Sequence, residues 1–171
     1  MSIEIRPARV EDIPSLYRCL DAVAREERYL AFVEAPPLEA SRAFWGKMIE
    51  QQWPFQVAVD GSEAIGWCDI SPNPRPALSH GGTLGMGLLG AQRGRGIGRR
   101  LLAATVEDAW RFGLERVELT VLVSNVHARR LYEAVGFHQE GVLHQYWKVR
   151  GQREDCLLMA LLRSRREQTT Q

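Results

Sequence analysis

The sequence has no long hydrophobic run and no excess of charge of either sign. No stretch of the 171 residues is apolar over the ~20 residues that a transmembrane helix needs, and the formal net charge is +1. A balanced charge gives no basic surface for nucleic acid or for a membrane. Residues 1–4 also lack the basic-then-apolar pattern of a signal peptide. We therefore expect a cytoplasmic protein with neither of these partners.

Cysteine is scarce as well, and the three that occur are Cys19, Cys68 and Cys156. They are odd in number, far apart and without the spacing of metal ligands, which predicts reduced, buried thiols and no metal site. With 45% apolar and 25% charged residues, the chain has the composition of an ordinary globular domain. We expect one domain over residues 1–163 and a polar, disordered tail over residues 164–171.

The most informative segment is residues 92–100, which read Gln-Arg-Gly-Arg-Gly-Ile-Gly-Arg-Arg. Glycine lets the backbone turn and lets a ligand approach closely, and the first amides of a helix have no partner within the helix. Such amides, with arginines beside them, bind phosphate oxygens, so the segment predicts an anion-binding loop. The plain alternative is a glycine–arginine surface loop. The predicted anion-binding residues are Arg93, Gly94, Arg95, Gly96, Ile97, Gly98 and Arg99.

The type of anion follows from what the loop lacks. A nucleoside-triphosphate loop needs Lys and then Ser or Thr after its last glycine, and Arg99 and Arg100 stand there instead. The dinucleotide pattern G-x-G-x-x-G opens a βαβ unit, whereas the long segment before Gly94 does not read as repeated βα units. The pattern that remains is R-x-x-G-x-G, formed by Arg93, Gly96 and Gly98.

Apolar periodicity predicts about seven strands and about four helices. The expected strands are residues 3–6, 55–60, 64–70, 83–89, 116–123, 138–149 and 153–162, and the expected helices are residues 12–25, 38–52, 98–112 and 125–135. Asp12 is expected to cap the first helix, and Phe112 to belong to the buried stripe of the third. The order strand, loop, helix, strand over residues 83–123 requires a parallel pair of strands.

Residues 124–137 form the second strong pattern, N-x-x-A-x-x-L-Y-x-x-x-G-F from the second residue on. Ser124 or Asn125 can cap a helix there, and Gly136 can end it. Asn125, Ala128 and Tyr132 are spaced i, i+3, i+7. They therefore share one face of the helix.

Together, the loop and this helix resemble the acyl-CoA-binding segments of the GNAT superfamily of N-acyltransferases, in the same order and spacing. The resemblance implies an α/β, three-layer fold with a mixed, mostly antiparallel sheet of about seven strands and helices on both faces. It also implies acetyl-CoA or a short acyl-CoA as co-substrate, attacked directly by a primary amine. Because no cysteine lies near the motifs, an acyl-enzyme is not expected. By the same analogy, the last strands could form a homodimer.

The resemblance further implies roles for single residues. The strand before the loop is expected to bulge, so that free amides at residues 86–88 polarise the thioester carbonyl. Asn125 is expected to bond the pantetheine arm, unless it is only a helix cap. Tyr132 is expected to donate to the departing sulfur, unless it is a half-buried core residue. The cofactor-binding set outside the loop is therefore Met86, Gly87, Leu88, Asn125, Ala128 and Tyr132.

The general base is the least determined part of the expected site. His80, just before the glycine-dotted strand, is the first candidate and Glu118 the second; a solvated loop histidine and a solvent-facing strand position are the alternatives. An α-amine, with a pKa of ~8, is already partly neutral at pH 7 and needs only a weak base. Acceptor recognition is expected from the connector 25–37, the proline-rich loop 71–76 and the last hairpin.

The end of the chain narrows the expected acceptor. The pattern Gly151-x-x-x-Asp155-x-x-x-Met159 looks like the branch of the superfamily that acetylates free amino acids, small amines or ribosomal-protein N-termini. The expected function is therefore transfer of an acetyl group from acetyl-CoA to the amine of an amino acid or small amine. Two alternatives stay open: a protein N-terminal or lysine acetyltransferase, and a non-catalytic acyl-CoA-binding sensor.

Overall fold

A computed structural model describes residues 3–164, which form seven strands and four α-helices joined by short turns. The strands are β1 (Glu4–Pro7), β2 (Phe55–Asp60), β3 (Glu63–Pro72), β4 (Gly81–Leu88), β5 (Arg116–Leu122), β6 (His138–Val149) and β7 (Gln152–Leu162). The helices are α1 (Ile13–Ala24), α2 (Leu38–Glu50), α3 (Ile97–Phe112) and α4 (Val126–Val135). Most of the tail expected at residues 164–171 lies outside the described residues, so that prediction and the domain boundary remain predictions.

The strands form one sheet in the order β1-β2-β3-β4-β5-β7-β6. Every neighbouring pair is antiparallel except β4 and β5, which are parallel. The helices α1 and α2 pack on one face with a buried cluster of their own, and α3 and α4 pack on the other face. The predicted three-layer α/β fold, its mostly antiparallel sheet and its parallel pair are confirmed.

The parallel strands β4 and β5 separate soon after they begin. Their register runs only from Gly81 opposite Arg116 to Thr83 opposite Glu118. Beyond that point β4 stays paired with β3 as far as Leu88, while β5 stays paired with β7. The two strands therefore leave a gap that widens toward their carboxyl ends. No register shift interrupts the β3–β4 pairing, so the predicted bulge is wrong and strand divergence opens the gap instead.

The backbone groups that face this gap follow from the alternation along β4. The Leu89 amide donates to the Ile65 carbonyl (3.0 Å), and the Gly81 carbonyl accepts from the Asn73 amide (2.9 Å). Odd-numbered residues of this segment therefore turn their polar groups to β3. Since successive residues of a strand bond on opposite sides, Met86 and Leu88 direct theirs into the gap.

Apolar periodicity predicts most, but not all, of the buried residues of α3, the helix that follows the loop. Apart from Ile97 at its first residue, its buried positions are Leu101, Leu102, Thr105, Val106 and Ala109, all predicted from the apolar stripe. Phe112, expected in the same stripe, is exposed because α3 ends there, at Gly113 with a φ of 103°. Glycine takes this left-handed conformation without strain.

The first helix begins differently from the prediction. Asp12 is buried, adopts helical dihedral angles and makes no cap bond to α1. Its carboxylate instead accepts two bonds from the Arg6 guanidinium, at 2.7 and 2.8 Å, and one from the Arg9 amide at 2.8 Å. Asp12 thus fastens β1 to the start of α1, a contact that local sequence patterns do not reveal.

The three cysteines are free and buried, as predicted. No helix within residues 3–164 is long and apolar enough to cross a bilayer. Over the same residues, no three side chains of the kinds that hold metal ions come together.

Candidate active site

The anion-binding loop presents a run of unpaired backbone amides. Gly94 and Gly96 have φ angles of 74° and 76°, which only glycine adopts readily. These two turns lead directly into the first turn of α3. Among the described residues, no hydrogen bond uses the amides of residues 94–99, whereas the Arg93 amide before them and the Arg100 amide after them are both bonded. Six consecutive free amides at a helix N-terminus suit a diphosphate.

The loop opens onto a cleft of about 540 Å³ that runs between β4 and β5. Most of the predicted cofactor-binding residues line it. Those residues are Met86, Gly87, Leu88, Arg93, Gly94, Gly96, Gly98, Arg99, Asn125, Ala128 and Tyr132. Residues from both faces of the sheet, Val23 and Tyr29 on one side and Leu131 on the other, complete the walls. The cleft thus joins the loop to the free amides of β4.

The arginines of the loop do not all serve the anion. Arg93 donates through both terminal nitrogens to Glu26 (2.7 Å each) and through Nε to the Leu88 carbonyl (3.0 Å). Its guanidinium also lies 4.6 Å from the ring of Tyr29, and its own amide is bonded to Gly90. Both donors expected for the anion are therefore in use, and Arg93 links the connector 25–37 to β4 instead.

The remaining side chains of the loop also differ in whether they can reach a bound anion. Arg95 is exposed and bonds Gln92. Ile97 is buried in the core under α3, so it contributes only its amide. Arg99 lines the cleft, and no ion pair involving it is recorded within residues 3–164. Arg99 is therefore the side chain best placed to add positive charge to the six amides.

We expect Glu26→Gln to show whether Arg93 binds the anion or only holds the connector 25–37 to β4. Glu26 is the carboxylate beside Arg93 and the main reason why the pKa of that guanidinium is raised. Both side chains are about one third exposed, at 31% and 33%, so solvent screens the pair and its loss should cost about 1 kcal/mol in urea denaturation. Acetyl-CoA affinity should stay within about twofold. A tenfold weaker affinity for acetyl-CoA would instead show that Arg93 takes part in binding the anion.

The two glycines of β4 are explained by neighbouring side chains. A Cβ on Gly87 would lie 2.2–2.9 Å from three atoms of the Trp67 ring. A Cβ on Gly85 would lie 3.5 Å and 3.6 Å from the carboxylate oxygens of Asp69. Gly87 also turns its N–H to β3 by the alternation above. Of the three amides expected to polarise the carbonyl, Met86 and Leu88 face the gap and Gly87 does not.

Gly87→Ala should destabilise the fold by about 1–3 kcal/mol, because the added methyl group overlaps a rigid, buried indole. Gly85→Ala is the matched control: the same added atom meets Asp69 at ordinary contact distance, and its cost should stay below about 1 kcal/mol. Urea denaturation of the two variants measures the difference. Equal stabilities would show that Trp67 moves aside freely.

Asn125 and Ala128 act together at the start of α4. The Asn125 side-chain oxygen accepts from the Ala128 amide at 3.2 Å, which is the cap that the sequence allowed. Both residues also line the cleft. The capping bond uses the oxygen of Asn125 and leaves its NH₂ group available to a carbonyl of the pantetheine arm.

Tyr132 projects from α4 into the wall of the cleft. The residue is 7% exposed and packs against Phe137, with ring centroids 5.8 Å apart. Its oxygen is absent from the fully enclosed, unpaired polar atoms of residues 3–164, and no hydrogen bond to it is recorded there, so the hydroxyl meets the cleft. Burial, and to a lesser degree Cys68, raises the pKa of Tyr132. It therefore stays protonated and can donate a hydrogen bond.

The two candidate bases from the sequence lie at the wrong end of the sheet. His80 precedes β4, and its carbonyl accepts from the Glu115 and Arg116 amides. At ~3.3 Å per strand residue, His80 is about 26 Å from Leu88. Glu118 is opposite Thr83, where the strands are still paired, and forms an ion pair with Arg116 (3.1 Å). Neither lines the cleft, so both assignments are corrected.

The proline-rich loop 71–76 lies at this same paired end, because Pro72 is opposite Gly82 at the end of the β3–β4 hairpin. It is therefore far from the open gap and does not form an acceptor wall. The connector 25–37 and the last hairpin do meet. Trp147 Nε1 donates to the Leu30 carbonyl at 3.3 Å, and Arg150 bonds Glu27 at 2.9 Å.

Sequence reasoning missed two further features. The β6–β7 register is interrupted between Leu143 and Trp147, and Gln145 there has a φ of 51°. Asp155 holds this segment by accepting from the Gln145 amide (2.7 Å), and His144 Nδ1 lies 2.9 Å from its other oxygen. The second feature is Asp69, a buried carboxylate on β3 opposite Gly85 of β4. Both depend on strand register, for which the sequence carries no local signal.

Comparison with known proteins supplies the family. The model of the Acetyltransferase (GNAT) family matches residues 21–137, more than half of the chain. The chain belongs to this family. The match includes the anion-binding loop, both strands that border the gap, and α4. The resemblance inferred from residues 86–137 is therefore confirmed.

Curated relatives of this GNAT chain include two Escherichia coli (strain K12) proteins. L-amino acid N-acetyltransferase AaaT is 31% identical over 106 residues, which cover 61% of this chain and 64% of that protein. [Ribosomal protein bS18]-alanine N-acetyltransferase is 34% identical over 67 residues, which cover 39% of this chain and 45% of that protein. The matched regions thus span less than two thirds of either relative.

Solved structures show the same fold over nearly the whole GNAT chain. Ribosomal-protein-alanine N-acetyltransferase from Brucella melitensis has a TM-score of 0.87 at 24% identity, covering 94% of this chain and 99% of that one. The yncA protein of Salmonella typhimurium, solved with its cofactor acetyl-CoA, has a TM-score of 0.89 at 17% identity, covering 96% of each chain. At these identities the likeness is one of fold.

Proposed function

We propose that this protein is an N-acetyltransferase that moves the acetyl group of acetyl-CoA to the α-amine of an amino acid or a similarly small amine. One observation carries the proposal: six free amides, at residues 94–99, stand at the mouth of a cleft that leads to two further free amides on β4. The first set suits a diphosphate and the second a polarised carbonyl. A diphosphate joined to a thioester is the chemistry of an acyl-CoA.

The residues of the cleft would share the work of acyl transfer. The loop amides and Arg99 would hold the diphosphate, and the Asn125 NH₂ group would bond the pantetheine arm. The amides of Met86 and Leu88 would stabilise the negative charge that develops on the thioester oxygen, where one well-placed donor contributes about 3 kcal/mol. Tyr132 would stabilise the departing thiolate by donating a hydrogen bond.

A small acceptor is favoured by how the acceptor side is closed. The connector 25–37 is held by Arg93 at Glu26, by Arg150 at Glu27 and by Trp147 at Leu30. These bonds tie the connector to both the donor loop and the last hairpin, so the segments around the acceptor side are fixed to one another. The relative named an L-amino acid N-acetyltransferase supports the same acceptor class.

A protein α-amine is the second candidate. Relatives named [Ribosomal protein bS18]-alanine N-acetyltransferase support it, and an N-terminal alanine presents the same α-amine as a free amino acid. The two candidates differ in the room that they need beyond the first residue. A third possibility, an acyl-CoA sensor without catalysis, would keep the loop and make no use of Tyr132.

A coenzyme A release assay separates these possibilities. The purified protein is given acetyl-CoA with each of the twenty free L-amino acids, with spermidine, or with a hexapeptide that begins with alanine, and the free thiol is followed with a chromogenic disulfide. We expect release with at least one free amino acid, at a higher kcat/KM than with the peptide. Release with the peptide alone would favour the second candidate, and binding of acetyl-CoA without release would leave a sensor.

A further inference from the structure

The proposed reaction needs a group that takes a proton from the acceptor amine, and β4 itself offers none. Its sequence, GGTLGMGL, contains no side chain that titrates. His80 and Glu118 lie at the paired end of the strands. Glu26 and Glu27, on the connector, are bound to arginines. His127 lines the cleft at the start of α4, beside Asn125 and Ala128, where the pantetheine arm is expected rather than the acceptor. We therefore look for the base on the strand that pairs with β4.

Asp69 on β3 is in the right place. It pairs with Gly85 on β4, two residues beyond the last β4–β5 contact at Thr83, so it lies level with the start of the open part of the gap, one strand away, and is not itself among the residues that line the cleft. Gly85 has no side chain, and the Asp69 oxygens occupy the space beside its Cα, 3.5 Å and 3.6 Å from the position of a Cβ. The carboxylate therefore reaches across β4 at the residue next to Met86, whose amide faces the gap.

No cation or strong donor neutralises this carboxylate. Asp69 is 7% exposed, and among the described residues the Trp67 indole is the one donor that acts on it, while the ion pairs of residues 3–164 do not include it. A buried carboxylate without a cation costs folding free energy, so a functional reason is expected.

We propose that Asp69 is the general base of the transfer reaction, acting on the acceptor amine through one water molecule across Gly85. This inference rests on the proposed function. An acceptor that arrives as an ammonium ion gives one proton through the water to Asp69. The N–C bond then forms as the C–S bond breaks. The second nitrogen proton ends on the departing thiolate, and Asp69 returns its proton to solvent.

The acid–base properties of the position agree with this role. Burial raises the pKa of Asp69 to about 7, partly offset by Trp67. The elements packed around it add no charge: β2 presents Phe55 opposite it, β4 presents Gly85, and the titratable groups that α1 brings to the same cluster are Cys19 and, at its edge, Tyr17. Burial raises the pKa of Cys19 to about 12, so that thiol stays neutral. Cys68 lies on the other face of the sheet.

The test is a pH–rate profile of Asp69→Asn, with the free amino acid that releases coenzyme A fastest among the twenty. At pH 7 we expect kcat to fall about 100-fold, with the acetyl-CoA dissociation constant within twofold by calorimetry. The wild-type kcat should fall as the pH drops below 7, and this acid limb should be absent from the profile of the variant. The pH at which the wild-type limb appears should stay near 7 when the acceptor is replaced by one with a different amine pKa.

Two further variants make the result decisive. Asp60→Asn, on β2, removes a carboxylate of the same sheet away from the gap and should keep at least half of the wild-type kcat. Gly85→Val places a side chain between Asp69 and the gap and should reproduce the loss of the acid limb, even if Asp69→Asn fails to fold.

An Asp69→Asn enzyme that binds acetyl-CoA and keeps both its rate and its acid limb would overturn the proposal that Asp69 is the base, while leaving the proposed acetyltransferase activity intact. A wild type that acetylates none of the tested amines would overturn both.

Discussion

Gly98→Asp should weaken acetyl-CoA binding about 100-fold, or ~2.7 kcal/mol, without loss of stability. Gly98 is the second residue of α3, and its amide is one of the six that are free. A carboxylate in the first turn of a helix interacts favourably with the helix dipole, so the fold should tolerate it. The same carboxylate would stand where the diphosphate is expected and repel it. Calorimetry gives the affinity and urea denaturation the stability.

Gly98→Ala is the control for volume without charge. A Cβ at this position meets Leu131 and Met86 at 3.5 and 3.8 Å, which is ordinary contact. Alanine also favours the helix by about 1 kcal/mol over glycine. Acetyl-CoA affinity should therefore stay within about fivefold of the wild type. If the aspartate and alanine variants bind equally well, the anion does not lie on these amides.

Tyr132→Phe should lower kcat roughly 10- to 100-fold while acetyl-CoA affinity stays within about twofold. The lower kcat follows from losing one hydrogen bond to a developing thiolate, which is worth about 1.5–3 kcal/mol. Because the pKa of Tyr132 is raised by burial and that of a free thiol is ~8.5, full transfer of its proton is strongly uphill. The effect should therefore appear at all pH values from 6 to 9, with no new limb in the profile.

The matched control is Tyr17→Phe, since Tyr17 lies on α1 and outside the cleft. It should change neither kcat nor acetyl-CoA affinity. An unchanged kcat in Tyr132→Phe would leave that tyrosine as a packing residue for Phe137. It would also favour the sensor over the enzyme if no amine released coenzyme A.

The structural features that the sequence predicts correctly are those whose residues lie within one continuous segment of the chain. The anion loop depends on glycines at fixed spacing, with positive φ at Gly94 and Gly96, and α4 on a cap at Asn125 and a stop at Gly136. Each strand shows its own alternation. Because these signals are local, the amino-acid sequence is enough to locate the helices, the strands and most of the residues that line the cleft on the side of the loop and α4.

The acceptor half could not be predicted because its contacts join distant segments. Arg93 meets Glu26 across 67 positions of the chain, and an arginine beside glycines looks the same whether it binds an anion or a glutamate. Asp69 gains its place only through the β3–β4 register. His80 is close to the open end of β4 in sequence but not in space, because eight extended residues separate two positions by about 26 Å.

The most direct test of the account is an NMR titration of the ¹⁵N-labelled protein with coenzyme A. We expect the amide resonances of Gly94, Gly96 and Gly98 to shift more than those of other glycines, because a diphosphate would accept hydrogen bonds from this loop. Gly46 and Gly61, which lie away from the cleft, provide the internal reference. If coenzyme A leaves the three loop glycines unmoved, the loop does not hold a diphosphate and the proposed enzyme is wrong.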